Sequence, residues 1–218
     1  FSASAPGVVT VRVSDAPLLR LDFAQRKPGI ELGERFLPNV IGDFADQTGV
    51  LLPASYVTLA SSDATVAQLS DNRVLAGRSQ GFATLRASRV TPQGLVVAAT
   101  AVTVGHPNAF VETQLFSGLD VYPAALTLVP EGSKPLRVTV GPDDGLGPAL
   151  TGGIEYVAGR SDVLDVGSDG RITGRAAGDA EVTVIYRGAE FVVPVRVRTP
   201  LADQAVLGSE GGAIRAAD

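Results

Sequence analysis

Apolar and polar residues alternate along much of this chain. Val9-Thr10-Val11-Arg12-Val13 alternates, and so does Ala83-Thr84-Leu85-Arg86-Ala87, with Ala and Leu on one face and Thr and Arg on the other. Ala180, Val182, Val184 and Tyr186 fall on one face of a later run. Glu181, Thr183 and Arg187 fall on the opposite face, where Ile185 is the one apolar intruder. Phe191, Val193, Val195 and Val197 repeat the pattern. A period of two with one polar face predicts antiparallel strands packed on a single side. No window of about eleven residues keeps apolar positions at helical spacing between caps. The longest nearly apolar run, Leu95 to Val104, is about half of what a membrane-spanning helix needs.

Turn chemistry falls between these runs. Arg187-Gly188 predicts a tight hairpin in which Gly supplies a positive φ. Thr91-Pro92-Gln93-Gly94 plays the same part earlier, with Pro pre-set for the second turn position. Asp71-Asn72 and Ser168-Asp169-Gly170 mark a second pair of turns. Pro194 inside a strand run predicts an edge or a bulge, because proline donates nothing to a ladder.

One stretch occurs twice. Residues 62–87 lie over 161–186 with small gaps: Ser62-Asp63 over Ser161-Asp162, Val66 and Leu69 over Val163 and Val166, Arg73-Val74 over Arg171-Ile172. Gly81, Ala83 and Leu85 then meet Gly178, Ala180 and Val182. A period of roughly a hundred residues suits a β-sandwich rather than a solenoid unit. The expected fold class is all-β, two tandem immunoglobulin-like β-sandwiches in series. Residues 1–16 read as the terminal strand of a preceding module or an added strand, 17–105 as Ig-like domain 1 and 109–199 as Ig-like domain 2. Residues 200–218 read as a C-terminal linker or the start of a following module. Gly105-His106-Pro107-Asn108 is the expected joint, short and stiffened by Pro107.

These residues also carry a family resemblance. Val57-Thr58-Leu59-Ala60-Ser61-Ser62-Asp63, then Val66-Ala67-Gln68-Leu69, Val74-Leu75-Ala76 and Gly81-Phe82-Ala83-Thr84-Leu85 resemble the bacterial Ig-like domain, group 2, of intimin- and invasin-type surface proteins. The second copy keeps Ser161-Asp162, Val163, Val166, Asp169-Gly170, Ile172 and Gly178 to Val182. Leu18 to Glu34 and Tyr122 to Gly132 resemble the family's opening strands. The chain departs at Leu59, where the family often has Trp, with Tyr156 the nearest aromatic in the second copy. Two residues are missing between Asp162 and Val163. The resemblance implies a sandwich topology and an extracellular or cell-surface bacterial setting, and it implies no ligand.

Composition narrows the chemistry. Cysteine is absent, which removes disulfides, thiolate metal sites and thiol nucleophiles. Methionine is absent and the chain opens Phe1-Ser2, which reads as a processed product or an excerpt. The net charge is −5, and the basic residues are scattered rather than gathered into a phosphate-binding stripe, so no nucleic-acid partner and no membrane insertion are expected. His106, the only histidine, reads as a solvated joint residue, and without a positioned base no serine is a credible nucleophile. Asp143-Asp144-Gly145 and the corner Asp162, Asp165 and Asp169 read as turn acids, with a weak calcium site as the competing reading. The Gly-rich stretches 141–147 and 211–212 lack the ending of a phosphate cradle. Phe44, in the 42–49 loop, is expected to pack in the core. Tyr56, Tyr122, Tyr156 and Tyr186 are expected in core or corner positions.

The expectation is therefore no enzyme, no catalytic, cofactor or metal site, and no cofactor. The chain reads as a structural or spacer module of a larger bacterial surface or secreted protein. It would be monomeric in isolation, with neighbouring domains of the same polypeptide as partners. The alternative is an adhesin or carbohydrate-binding module using the 42–49 or 141–153 loops for a glycan or protein ligand, or an accessory part of an exoenzyme or toxin.

Overall fold

The computed structural model describes residues 15–70, 75–105, 118–140 and 148–199. The expected strand at 9–13, the Asp71-Asn72 turn, His106 with the rest of its joint, and Asp143-Asp144 lie outside the described residues. Every named element is a strand. The N-terminal half holds β1 (Leu18–Phe23), β2 (Gly29–Ile30), β3 (Arg35–Phe36), β4 (Val40–Phe44), β5 (Val50–Leu51), β6 (Thr58–Ser61), β7 (Ala67–Leu69), β8 (Leu75–Gly77), β9 (Gly81–Val90) and β10 (Leu95–Val104). The C-terminal half holds β11 (Leu119–Tyr122), β12 (Leu126–Leu128), β13 (Ser133–Pro135), β14 (Arg137–Val140), β15 (Glu155–Ala158), β16 (Leu164–Val166), β17 (Arg171–Gly174), β18 (Gly178–Tyr186) and β19 (Ala189–Val197).

The pairing repeats. The order β2-β10-β9-β6 recurs as β12-β19-β18-β15, and β3-β8-β7 recurs as β13-β17-β16. β1 pairs with β4 as β11 pairs with β14. In each half the second strand runs parallel to the last: Ile30 faces Val104 and Leu128 faces Val197. The facing sheets enclose one apolar cluster per half, around Leu21, Leu75, Leu85 and Val102 in the first and Leu164, Ile172, Val182 and Val193 in the second. This is an all-β, Ig-like sandwich architecture.

Glycines mark the same close approaches in both copies. A Cβ on Gly81 would meet Val66 at 3.0 Å, and one on Gly178 would meet Val163 at 2.9 Å. A Cβ on Gly77 would press on the Glu31 carbonyl, and one on Gly174 on the Val129 carbonyl. The corner, however, is laid out differently from the sequence alignment. Asp63 O accepts from the amides of Val66 and Ala67, and Arg160 O accepts from those of Val163 and Leu164. Asp63 is thus the counterpart of Arg160, not of Asp162, and the apparent gap before Val163 disappears.

The hairpins differ. Arg187 and Gly188, with φ of 44° and 80°, close β18–β19 as a two-residue turn of the kind that needs both central residues left-handed. Thr91 and Gly94 exchange backbone hydrogen bonds across the longer β9–β10 loop. Pro194 sits where β19 has β18 on one side only, because β12 pairs no earlier than Val195; an edge was the expectation, and β19 is an edge for part of its length.

The halves do not stand in series. Alternate residues of β10 belong to different clusters: Val96, Ala98, Val102 and Val104 enter the N-terminal core, while Ala99 and Ala101, with Val97 beside them, meet Val157 and Ile185 of the C-terminal half in a third cluster. The outward faces of the two inner sheets therefore meet. Arg20 reaches Glu181 and Arg26 reaches Glu190, so β1 runs opposite in direction to β19. Leu18 and Val197 consequently lie at the same end of the paired halves.

Candidate functional site at the junction of the halves

The built feature of the described residues is this junction. Its centre is apolar and small-residued, which lets β10 approach β15 and β18 closely. Burial of Val157 and Ile185 alone contributes about 3–6 kcal/mol. Thr84 and Thr183, read from the alternation as solvent-facing, are buried there.

Around that centre runs a set of ion pairs with one polarity. The N-terminal half contributes arginines and the C-terminal half glutamates. Arg20 Nε donates to Glu181 at 2.8 Å and Arg20 Nη2 to Asp22 at 2.6 Å. Arg26 Nε donates to Asp22 at 2.8 Å, and its Nη1 to Glu190 at 3.2 Å. Arg86 Nε donates to Glu155 at 2.9 Å, and Thr84 Oγ1 to the other oxygen of Glu155 at 2.7 Å. Glu190 is the most enclosed, with 4% of its side chain exposed. The Thr100 hydroxyl, the Ala101 amide and Arg26 all donate to it, so the buried charge is paired and hydrogen-bonded. Burial works against the Arg20 charge. The hydrogen bond to Glu181, and the charges of Glu181 and Asp22, outweigh that and hold the guanidinium above its ordinary range.

The junction is also a strand edge. β2 covers β10 only at Thr103 and Val104. Nearer the hairpin tip the corner after β15 takes the free edge. Val97 N donates to Gly159 O, Ser161 N to Leu95 O, and Leu95 N to the Ser161 hydroxyl, with Val96 and Arg160 as an antiparallel bridge. The contacts have approximate two-fold character. Counted back from Val104 and Val197, Val97 is the counterpart of Glu190 and Ala101 that of Pro194. Glu190 meets Ala101, while Val97 and Pro194 line one cleft of about 360 Å³ with Leu19, Ala180 and Arg160.

The other expected positions are distributed as follows. Phe44 packs against the N-terminal core and meets Tyr56 edge-on, ring centroids 6.2 Å apart, with Arg89 over the Tyr56 face. Tyr156 and Tyr186 pack against the C-terminal core. Tyr122 does not: it is 73% exposed at the end of β11, contrary to the core or corner expectation. Its outward place follows from Val121, which takes the core side of β11. Asp162 is held by Arg160, Asp165 pairs with Arg175, and Asp169 accepts from the Arg171 amide, so the three acids are not gathered. Among the described residues no three His, Cys, Asp or Glu side chains stand together as metal ligands, and no helix is long and apolar enough to cross a membrane. Asp63 sits below the ordinary carboxylate range because the Thr65 hydroxyl and amide donate to it.

No family model and no curated protein match the sequence. Solved structures do. The surface layer protein SbsC, domains 1–6, is 19% identical with a TM-score of 0.32; the match covers 76% of this chain and 24% of that one. SbsC domains 5–6 are 14% identical with a TM-score of 0.34, covering 85% of this chain and 100% of the other. Human protocadherin-24 EC1-2 is 11% identical with a TM-score of 0.26, covering 85% and 100%. This chain thus spans about a quarter of the longer surface layer structure.

Proposed function

We propose that this chain is a non-catalytic structural module of a larger bacterial cell-surface or secreted protein. Two Ig-like units, 17–105 and 109–199, act in it as one laterally paired body. The observation that carries this reading is the junction itself. Its apolar centre, its buried Glu190 and its edge pairing consume the outward faces of both inner sheets, and they fix one unit on the other. The neighbouring domains of the same polypeptide are its partners. Bacterial Ig-like group 2 is the family this reading favours, on the Ser-Asp corner, the Val66 and Val163 positions and the paired Gly81 and Gly178.

The test is Ile185→Glu, which puts a charge into the central cluster while leaving both cores intact. Small-angle scattering should show a larger radius of gyration than the unaltered chain, with an unchanged β circular dichroism spectrum. An unchanged radius with the fold preserved sinks the reading of one paired body. For the setting, proteolytic shaving of intact source cells should release peptides of 17–199; release only after lysis sinks the surface or secreted assignment.

A further inference from the structure

We infer that the arginine-bearing face of the N-terminal half is a docking surface for the glutamate-bearing face of a second copy of this chain, so that two molecules pair by reciprocal exchange of halves. The inference rests on the two-unit reading and goes beyond it. Each half closes its own apolar cluster with its own complete set of sheets. What joins them has the anatomy of an interface between proteins: a dry centre of Ala99, Ala101, Val157 and Ile185 inside a charged rim.

The rim decides the partner. Arg20, Arg26 and Arg86 meet Glu155, Glu181 and Glu190. Two N-terminal faces would bring arginine to arginine, and two C-terminal faces glutamate to glutamate, so only the unlike halves match. The approximate two-fold relation of the contacts means that exchange closes a dimer rather than propagating a fibre. Residues 105–118 connect Val104 to Leu119. At ~3.3–3.6 Å per residue they reach roughly 45–50 Å, beyond the ~30 Å length of β10, which is enough to pass a half to a neighbour. Within one chain the connection sets an effective concentration in the millimolar range, so exchange competes when molecules are crowded to that level.

The absence of cysteine makes the test direct. Leu95 stands opposite Ser161 in the antiparallel bridge, at the ~4.5–5.5 Å Cβ spacing of a cross-strand pair, close enough for a disulfide. Leu95→Cys and Ser161→Cys, in separate chains, are mixed at about 1 mM, oxidised and run on a non-reducing gel. A disulfide-linked dimer at least ten times more abundant than with Leu95→Cys plus Lys134→Cys is expected, rising with concentration. A yield equal to that control, while the double variant Leu95→Cys/Ser161→Cys cross-links within one chain, overturns the exchange and leaves the junction standing. Failure of the double variant to cross-link overturns the exchange and the junction together.

Discussion

β10 and β19 hold the same place in the two halves, yet they are different strands. β19 alternates over its second half, with Val193, Val195 and Val197 buried and Pro194 and Arg196 exposed. β10 is apolar nearly throughout and buried on both faces from Ala98 to Val102. The difference lies in what covers the outward face. β10 has the C-terminal half over its outer side, and small alanines there let it approach. β19 has only Glu190 engaged at its tip end, and beyond it Pro194 withholds a ladder donor from the free edge. An edge strand that is apolar on both faces therefore belongs to two cores, one inside its sandwich and one outside.

Loss of volume should separate the two kinds of core. Leu164→Ala, inside the C-terminal sandwich, is expected to cost about 3–4 kcal/mol and to lower the urea midpoint in proportion. A loss below about 1 kcal/mol would mean that the site collapses freely and is not a packed interior. Glu190→Gln tests the outer core. Removing one partner of a buried pair costs about 3 kcal/mol at most here, since Arg26 keeps Asp22. The loss should appear as separation of the halves before either melts, read as two calorimetric transitions in place of one. Arg86→Ala probes the rim. That pair is partly exposed, so about 0.5 kcal/mol is expected, fading in 1 M salt; a salt-independent effect would show that the pair is shielded from solvent.

The smallest effect concerns pH and the C-terminal half alone. Burial, and secondarily the charge of Asp169, push the Tyr156 phenol above its ordinary value of 10.0. An acid raised in the folded state is ionised first in the unfolded chain, so stability should fall as pH climbs past about 10. Tyr156→Phe should flatten that fall, measured as urea midpoints between pH 8 and pH 11, and an unchanged slope would move the cause elsewhere.

Much of the fold was legible in the alternation. Leu85, Val182, Val193 and Val195 lie inward as their period requires, and the Arg187-Gly188 turn closes where its residues demand left-handed backbone. The junction was less legible, although its traces were present. Ile185 interrupts a polar face because that face meets Val157, Ala99 and Ala101. The unbroken run from Leu95 reads as a strand buried on both sides, a pattern normally tied to covered sheets. No local pattern showed that Glu190 and Arg26 are partners, because their meeting depends on how two separate sandwiches come together. The corner was misaligned for a related reason: Ser-Asp repeats as a pair of letters, while the backbone hydrogen bonds repeat two positions away.

Because Leu18 and Val197 emerge side by side, tension applied at those two points would part the halves from one end like a zip. Arg20 and Glu181, nearest the opening, would carry the force first, with Arg26 and Glu190 next in line. Once parted, the body would lengthen by a whole sandwich plus residues 105–118, giving a folded store of slack that recloses without refolding either core.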